Sequence, residues 1–244
     1  MSVDIVETNL DFDSLSERGY TDMIVIHHTG ENDIDASAEQ IHQWHKNRNP
    51  PWAGIGYHYV IRKDGTIERG RPEWAIGSHA YGENSHTIGI HLSGDFQQAN
   101  PTPEQLDRCG ALVADICDRY GIPIDRDHIV GHGELMSTSC PGVNLQALLD
   151  DGTITGKAIF YYNKAHGIAQ EVADLAGQEP KQDGGSCGGR GAERFNTLDS
   201  LPEWAKPTVQ KMIAKGLLNG DGVGLDLSRD MLRIFVVNDR AGLY

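Results

Sequence analysis

The sequence predicts an α/β fold, a central β-sheet with helices packed on it, followed by a small helical C-terminal module. Three observations carry this: two apolar strand runs, two helices opened by complete capping boxes, and a change of texture near residue 150. At 244 residues the chain has room for one domain of roughly 150 residues plus a smaller one.

Asp22–His28 (DMIVIHH) begins as a β-branched run and ends in two histidines, as a buried strand with polar groups at its C-terminal end would. Ser37-Ala-Glu-Gln40 is a capping box, opening a helix with Ile41 and Trp44 on one side. Tyr57–Arg62 and Thr66–Arg69 flank Lys63-Asp64-Gly65, and Asp-Gly between β-type segments signals a hairpin. Thr87–Ser93 alternates Ile88, Ile90 and Leu92 on one face, a further strand. Thr102-Pro103-Glu104-Gln105 repeats the capping box with proline at the first helical position. The helix it opens, to Tyr120, aligns Leu106, Cys109, Leu112, Val113, Ile116 and Cys117 in one stripe. His128–Val130 is a short strand leading into the loop Gly131–Gly142.

Past residue 150, Lys157–Ala176 has helical spacing and reads as a connector. Gln178–Arg194 is Gly-rich and polar, a flexible linker by composition. Pro202–Lys215 reads as an amphipathic helix stopped at Gly216, Leu218–Gly222 as a turn, and Ser228 as the cap of a second helix to Arg240.

Hydrophobic content of 39% and charged content of 23% are those of an ordinary globular chain. The net charge of -14 argues against a nucleic-acid partner, since such binders carry a basic face. That charge is uneven: residues 1–150 carry 10 Lys and Arg against 23 Asp and Glu, the remainder 11 against 12. No apolar run approaches the roughly 18–20 residues of a membrane span. The acidic start MSVDIVETNLDFD lacks the features of a secretory signal, so synthesis in the cytoplasm is expected, with any action outside needing another release route. Four cysteines without a C-x-x-C pair suggest reduced thiols. Cys109 and Cys117 are expected in the core, and Cys187 as an exposed thiol in the linker.

Ten of the eleven histidines fall within residues 27–132. Zinc favours imidazole and thiolate, and a catalytic site keeps three protein ligands with one position open. The loop after His128–Val130 offers His132 and Cys140, eight residues apart, and the strand-end His27 could complete a set. Spacing alone leaves two readings open: a metal site, or scattered structural histidines with one more buried cysteine.

Ile24-Val-Ile-His-His-Thr29, Gln43-Trp-His-Lys46, Ile55–Gly70 (IGYHYVIRKDGTIERG), Ala75-Ile-Gly-Ser-His-Ala80 and Gly131-His132 with Thr138-Ser-Cys-Pro141 resemble, in order, the zinc amidase family. That family comprises amidase-type phage lysozymes, peptidoglycan recognition proteins and bacterial type-2 amidases. The resemblance spans residues 20–150. It implies a central mixed β-sheet flanked by helices, a Zn2+ cofactor, bacterial peptidoglycan as partner, and hydrolysis of the amide between N-acetylmuramic acid and L-alanine. By the same resemblance His27, His132 and Cys140 match the zinc ligands. Tyr57 matches the tyrosine whose hydroxyl lies beside the zinc-bound water or the substrate carbonyl. Thr138 occupies a position that is lysine in some phage members and threonine in many recognition proteins. His79 and Asn84 match groove positions that contact the muropeptide. Cys140 also separates this chain from relatives that recycle anhydro-muropeptides, which carry aspartate there. His28 alternates to the other face of its strand and is read as packing. His45, His58, His86, His91 and His128 are read as structural or as supports for the ligands, and Glu134, two residues after His132, as a solvated loop carboxylate or an acceptor supporting that ligand.

Two alternatives to the amidase are a non-catalytic peptidoglycan binder on the same fold and a zinc peptidase cutting within stem peptides. Binders commonly lose the cysteine, so the complete ligand set with Tyr57 favours an enzyme. Residues 1–155 are expected as the catalytic domain, 156–194 as connector helix and linker, and 195–244 as a small helical module. Glu203-Trp-Ala-Lys with Lys211–Gly222 is similar to half of an S-layer-homology unit, implying cell-wall binding, or self-association through residues 156–244. Together these features imply an endolysin that reaches the wall after holin-mediated release.

Overall fold

A computed structural model of the chain describes residues 3–30, 33–167 and 194–214, with Leu218, Leu225, Leu227, Ser228, Met231, Leu232, Phe235 and Val236. It divides into two compact units, Met1–Gln170 and Glu171–Tyr244.

The first unit is built on five strands: β1 (Met23–His28), β2 (Tyr59–Ile61), β3 (Ile67–Arg69), β4 (Thr87–Leu92) and β5 (Ile129–Gly131). Their order is β3-β2-β4-β1-β5, with β2, β4, β1 and β5 parallel and β3 antiparallel to β2. A parallel sheet needs cover on both faces, which is why β1 and β4 are largely apolar and nearly every residue in them, the histidines included, is buried. On one face Ile24, Ile26, Ile88, Ile90 and Leu92 pack with Cys109, Leu112, Val113 and Ile116 of α2 (Pro103–Tyr120). On the other, Ile41 of α1 (Ala38–Lys46) packs with Ile55 and Val60. Both helices start on the capping boxes read from sequence, with Ser37 and Thr102 accepting from Gln40 and Gln105. Cys109 and Cys117 are buried in the core.

The chain before β1 closes the sheet's β3 edge. Val6 exchanges backbone hydrogen bonds with Ile67 and Arg69 at 2.8 Å each. Arg18, at the end of this strap, is buried against His58, with its guanidinium donating to the Glu73, Ala75 and Thr87 carbonyls.

Several elements differ from the sequence reading. Trp44 does not share the buried side of α1 with Ile41; Ala38, Ile41, His42 and His45 form that side, and Trp44 is 43% exposed. The segment Gly131–Gly142 is not all loop, because α3 (His132–Leu135) makes one turn in it. The helix α4 (Val143–Asp150) follows, burying Leu145 and Leu149 one turn apart. The helix expected from Lys157 begins at Thr153 as α5 (Thr153–Ala165), and its Ile154 and Ala158 sit in the main core beside α2. It is packed, not a free spacer. Residues 168–176 of that expected helix, the Gly-rich stretch 178–193 with Cys187, and the turn residues 219–222 lie outside the described residues.

In the second unit β6 (Arg194–Phe195) pairs antiparallel with β7 (Leu227–Ser228), a pairing that the sequence did not suggest. A 3-10 turn (Leu198–Ser200) precedes α6 (Lys206–Ala214), which starts four residues after the expected Pro202, while Lys215 lies outside the described residues. Phe195, Leu201, Ala205, Val209, Leu227, Leu232 and Val236 form its own small core. Of the second expected helix, only Met231, Leu232, Phe235 and Val236 are described, and all four are helical.

Candidate functional site

His27 sits at the C-terminal end of β1, level with His91 of β4, on the sheet face opposite α2. The alternation of a strand sends His28 the other way, where its Nδ1 accepts from the Phe96 backbone N–H at 3.1 Å. His132 is the first residue of α3, directly after β5. That turn is pinned by Glu134, which accepts from the Gly131 N–H at 2.6 Å and is held by Arg126 and Gln146 at 2.8 and 2.9 Å. Glu134 is exposed, as expected, but it also pins the turn through these partners. Cys140 returns from the following loop, and the His28 backbone N–H points at its sulfur from 3.5 Å.

Three separate chain segments thus converge. One ligand atom each from His27, His132 and Cys140 lie within 4.8 Å of one another, the one such group among the described residues. His27 Nδ1 is 3.6 Å from Cys140 Sγ. Two donors bound tetrahedrally to one zinc, at about 2.05 and 2.3 Å, would stand about 3.6 Å apart, so the spacing fits a shared ion. The protonation chemistry fits too. Burial pushes the Cys140 thiol up to about 12, and without a cation it has no cause to ionise. Burial, followed by the neighbouring His79 and His132, holds His27 well below the ordinary imidazole range and therefore neutral, as a ligand must be.

Tyr57 lies between α1 and β2, with its ring centroid 4.9 Å from that of His27 and 4.8 Å from that of His91. Burial, then the Cys140 sulfur, raises its phenol well above the ordinary value, so the hydroxyl stays protonated. Thr138 stands at the exposed lip, its hydroxyl accepting from the Cys140 N–H at 3.3 Å. His79 is buried, with Nδ1 3.0 Å from His27 Nε2. Asn84 does not reach into the cleft: its side-chain oxygen accepts from the His79 and Ala80 N–H groups at 2.8 and 2.9 Å. A side chain at Gly89 would meet the His79 ring at 2.7 Å, so glycine at the centre of buried β4 leaves the shelf on which that ring lies.

Tyr57, His79, His132, Thr138 and Cys140 line a cleft of about 960 Å3 that also holds Trp44, Trp52, Arg48 and Gln97. Sequence reading had not assigned these walls to the site. The available signal was an indole on the solvent side of α1, visible only once the buried side was known. Arg48 stacks over Trp52 at 4.5 Å, and Arg48 and Asp95 are the ordinarily charged groups of the lining. A separate groove of 520 Å3, lined by Phe12, Trp74 and Arg119 among others, contains no histidine or cysteine.

The sequence profile described as N-acetylmuramoyl-L-alanine amidase matches residues 17–143. The chain belongs to the N-acetylmuramoyl-L-alanine amidase family. The amidase is 34% identical over 136 residues to the endolysin of Escherichia phage T7, covering 53% of this chain and 86% of that protein. Among solved structures it is similar to the amidase LysC from Clostridium intestinale URNW, with 39% identity and a TM-score of 0.56 over 64% of this chain and 97% of that one. Drosophila PGRP-LB is similar at 27% identity and a TM-score of 0.53, covering 59% of the amidase and 91% of that chain. The profile match ends at the first residue of α4, so α5 and the second unit lie beyond it.

Proposed function

We propose that this chain hydrolyses the amide between N-acetylmuramic acid and the L-alanine of peptidoglycan stem peptides, using zinc held by His27, His132 and Cys140. The observation that carries the reading is the convergence of those three ligand atoms within 4.8 Å, with His132 and Cys140 lining an open cleft and His27 buried behind them. When bound, zinc acidifies water to a pKa of about 7 and polarises the scissile carbonyl, the two things an unactivated amide needs. Tyr57, protonated and beside His27, is placed to donate a hydrogen bond to the oxygen on which negative charge develops. Thr138, a neutral hydroxyl at the lip, orients water or that oxyanion without adding positive charge. His79 and the Asn84-held loop form the wall against which the muropeptide lies.

Similarity to phage endolysins supports the same activity. Holin-mediated release after cytoplasmic synthesis is the route to the wall that this reading takes. No helix among the described residues is long and apolar enough to cross a membrane. The near-neutral second unit offsets an acidic catalytic unit that a polyanionic wall repels, and residues 195–244 supply wall affinity. Replacing Cys140→Ser or His132→Ala should abolish zinc content and hydrolysis together, read by metal analysis and by release of stem peptides with a free N-terminal L-alanine. Full hydrolysis by a metal-free Cys140→Ser protein would contradict the mechanism.

A further inference from the structure

We propose that Thr87 and His79 are positioning residues for His27, joined to it by a one-way hydrogen-bond relay that fixes the His27 proton on Nε2 and turns its bare Nδ1 toward Cys140. The inference rests on the reading of His27 as a metal ligand and adds how that ligand is held.

The direction of the relay follows from its far end. Thr87 Oγ1 lies 2.8 Å from the Glu83 carbonyl, which can only accept, so the single hydroxyl proton is committed there. Thr87 Oγ1 is also 3.4 Å from His79 Nε2, and with its proton spent it can only accept from that nitrogen. His79 therefore carries its proton on Nε2, and in the neutral ring Nδ1 is bare. That Nδ1 is 3.0 Å from His27 Nε2, which must be the donor. His27 is left with a bare Nδ1, the atom 3.6 Å from Cys140 Sγ. His27, His79 and Thr87 are all buried, and Gly89 leaves room for the His79 ring against β4.

Two consequences follow. A metal-bound imidazole usually donates its second N–H to a carboxylate, carbonyl or water, and such partners set ring orientation and affinity. Here the acceptor is another neutral imidazole, which orients the ring without bringing negative charge to the ligand. With both nitrogens engaged, His79 offers the cleft a ring surface and no free nitrogen.

The test uses the full chain and three readouts. Nitrogen-15 NMR of the metal-free protein reports the His27 tautomer directly. Competition with a chromophoric chelator gives zinc affinity for the wild type, Thr87→Val, Thr87→Ser and His27→Ala. The melting temperature of each metal-free protein reports any loss of fold. The relay predicts the Nε2–H tautomer at His27 in the wild type. It also predicts zinc binding weakened about tenfold in Thr87→Val, and restored in Thr87→Ser, which keeps the hydroxyl, with metal-free melting temperatures alike. A proton on His27 Nδ1 in the wild type overturns the relay without needing any variant. So does unchanged zinc affinity in Thr87→Val when His27→Ala has lost the metal. Zinc bound as tightly by His27→Ala as by the wild type removes instead the ligand reading beneath it.

Discussion

Burial and the neighbouring Cys140 sulfur keep the Tyr57 phenol protonated throughout the working pH range, so its hydroxyl is a standing donor on a ring that lies against His27. Removing that donor while leaving the ring separates catalysis from metal binding. Tyr57→Phe should retain one zinc per chain and lose about 10²–10³-fold in turnover, the effect of deleting one oxyanion donor. Turnover measured beside zinc content checks this, and an unchanged rate would take Tyr57 out of the catalytic set. At this scale much of the site was legible. His27 ends an apolar strand, and His132 and Cys140 share one loop, but spacing left their meeting undecided; family resemblance supplied the expectation. Trp44 was not legible, since helical spacing from Ile41 admits either side until the buried residues are known. The partners of the exposed Glu134 were not legible, because Arg126 and Gln146 lie eight and twelve residues away and only the fold joins them.

The helices α2 and α5 pack closely against each other at Gly110. A side chain at Gly110 would lie 2.5 Å from Lys157 Cβ and 3.1 Å from the Lys157 carbonyl carbon, so the backbones themselves stand in the way. Alanine is the better helix former by about 0.8–1 kcal/mol, which would favour Gly110→Ala on a free helix. Overpacking against fixed backbone costs about 1–3 kcal/mol and should win. The urea midpoint of Gly110→Ala is therefore expected to fall; a rise would mean that α5 does not pack here. The strands and α1 and α2 could be read because capping boxes and apolar periodicity agreed with each other. The start of α5 was missed because Thr153, Ile154, Thr155 and Gly156 are all weak helix formers, outvoted by core burial of Ile154. Leu145 and Leu149 carried the spacing of α4, masked by the Pro141-Gly142 that precedes them.

Across the first unit, buried neutral histidines couple the fold to pH. Burial lowers His58 and His91 to about 3 and His45 to about 4. In the unfolded chain the same imidazoles protonate near pH 6.5. The unfolded state therefore binds more protons as pH falls below 6.5, and stability falls with it until the folded values are reached, by up to about 1.4 kcal/mol per pH unit for each such histidine. Urea midpoints of the first unit should drop steadily between pH 6.5 and 4; a flat profile would mean these rings are not held neutral. The charge division along the chain belongs to this scale too, and it was fully legible as composition: an acidic catalytic portion and a near-neutral tail. What the whole molecule does is read most directly from its products. Purified peptidoglycan digested with the full chain and examined by mass spectrometry should yield glycan strands stripped of peptide and intact stem peptides with a free N-terminal L-alanine. Stem peptides cut internally, or peptidoglycan bound but unchanged, would contradict the account.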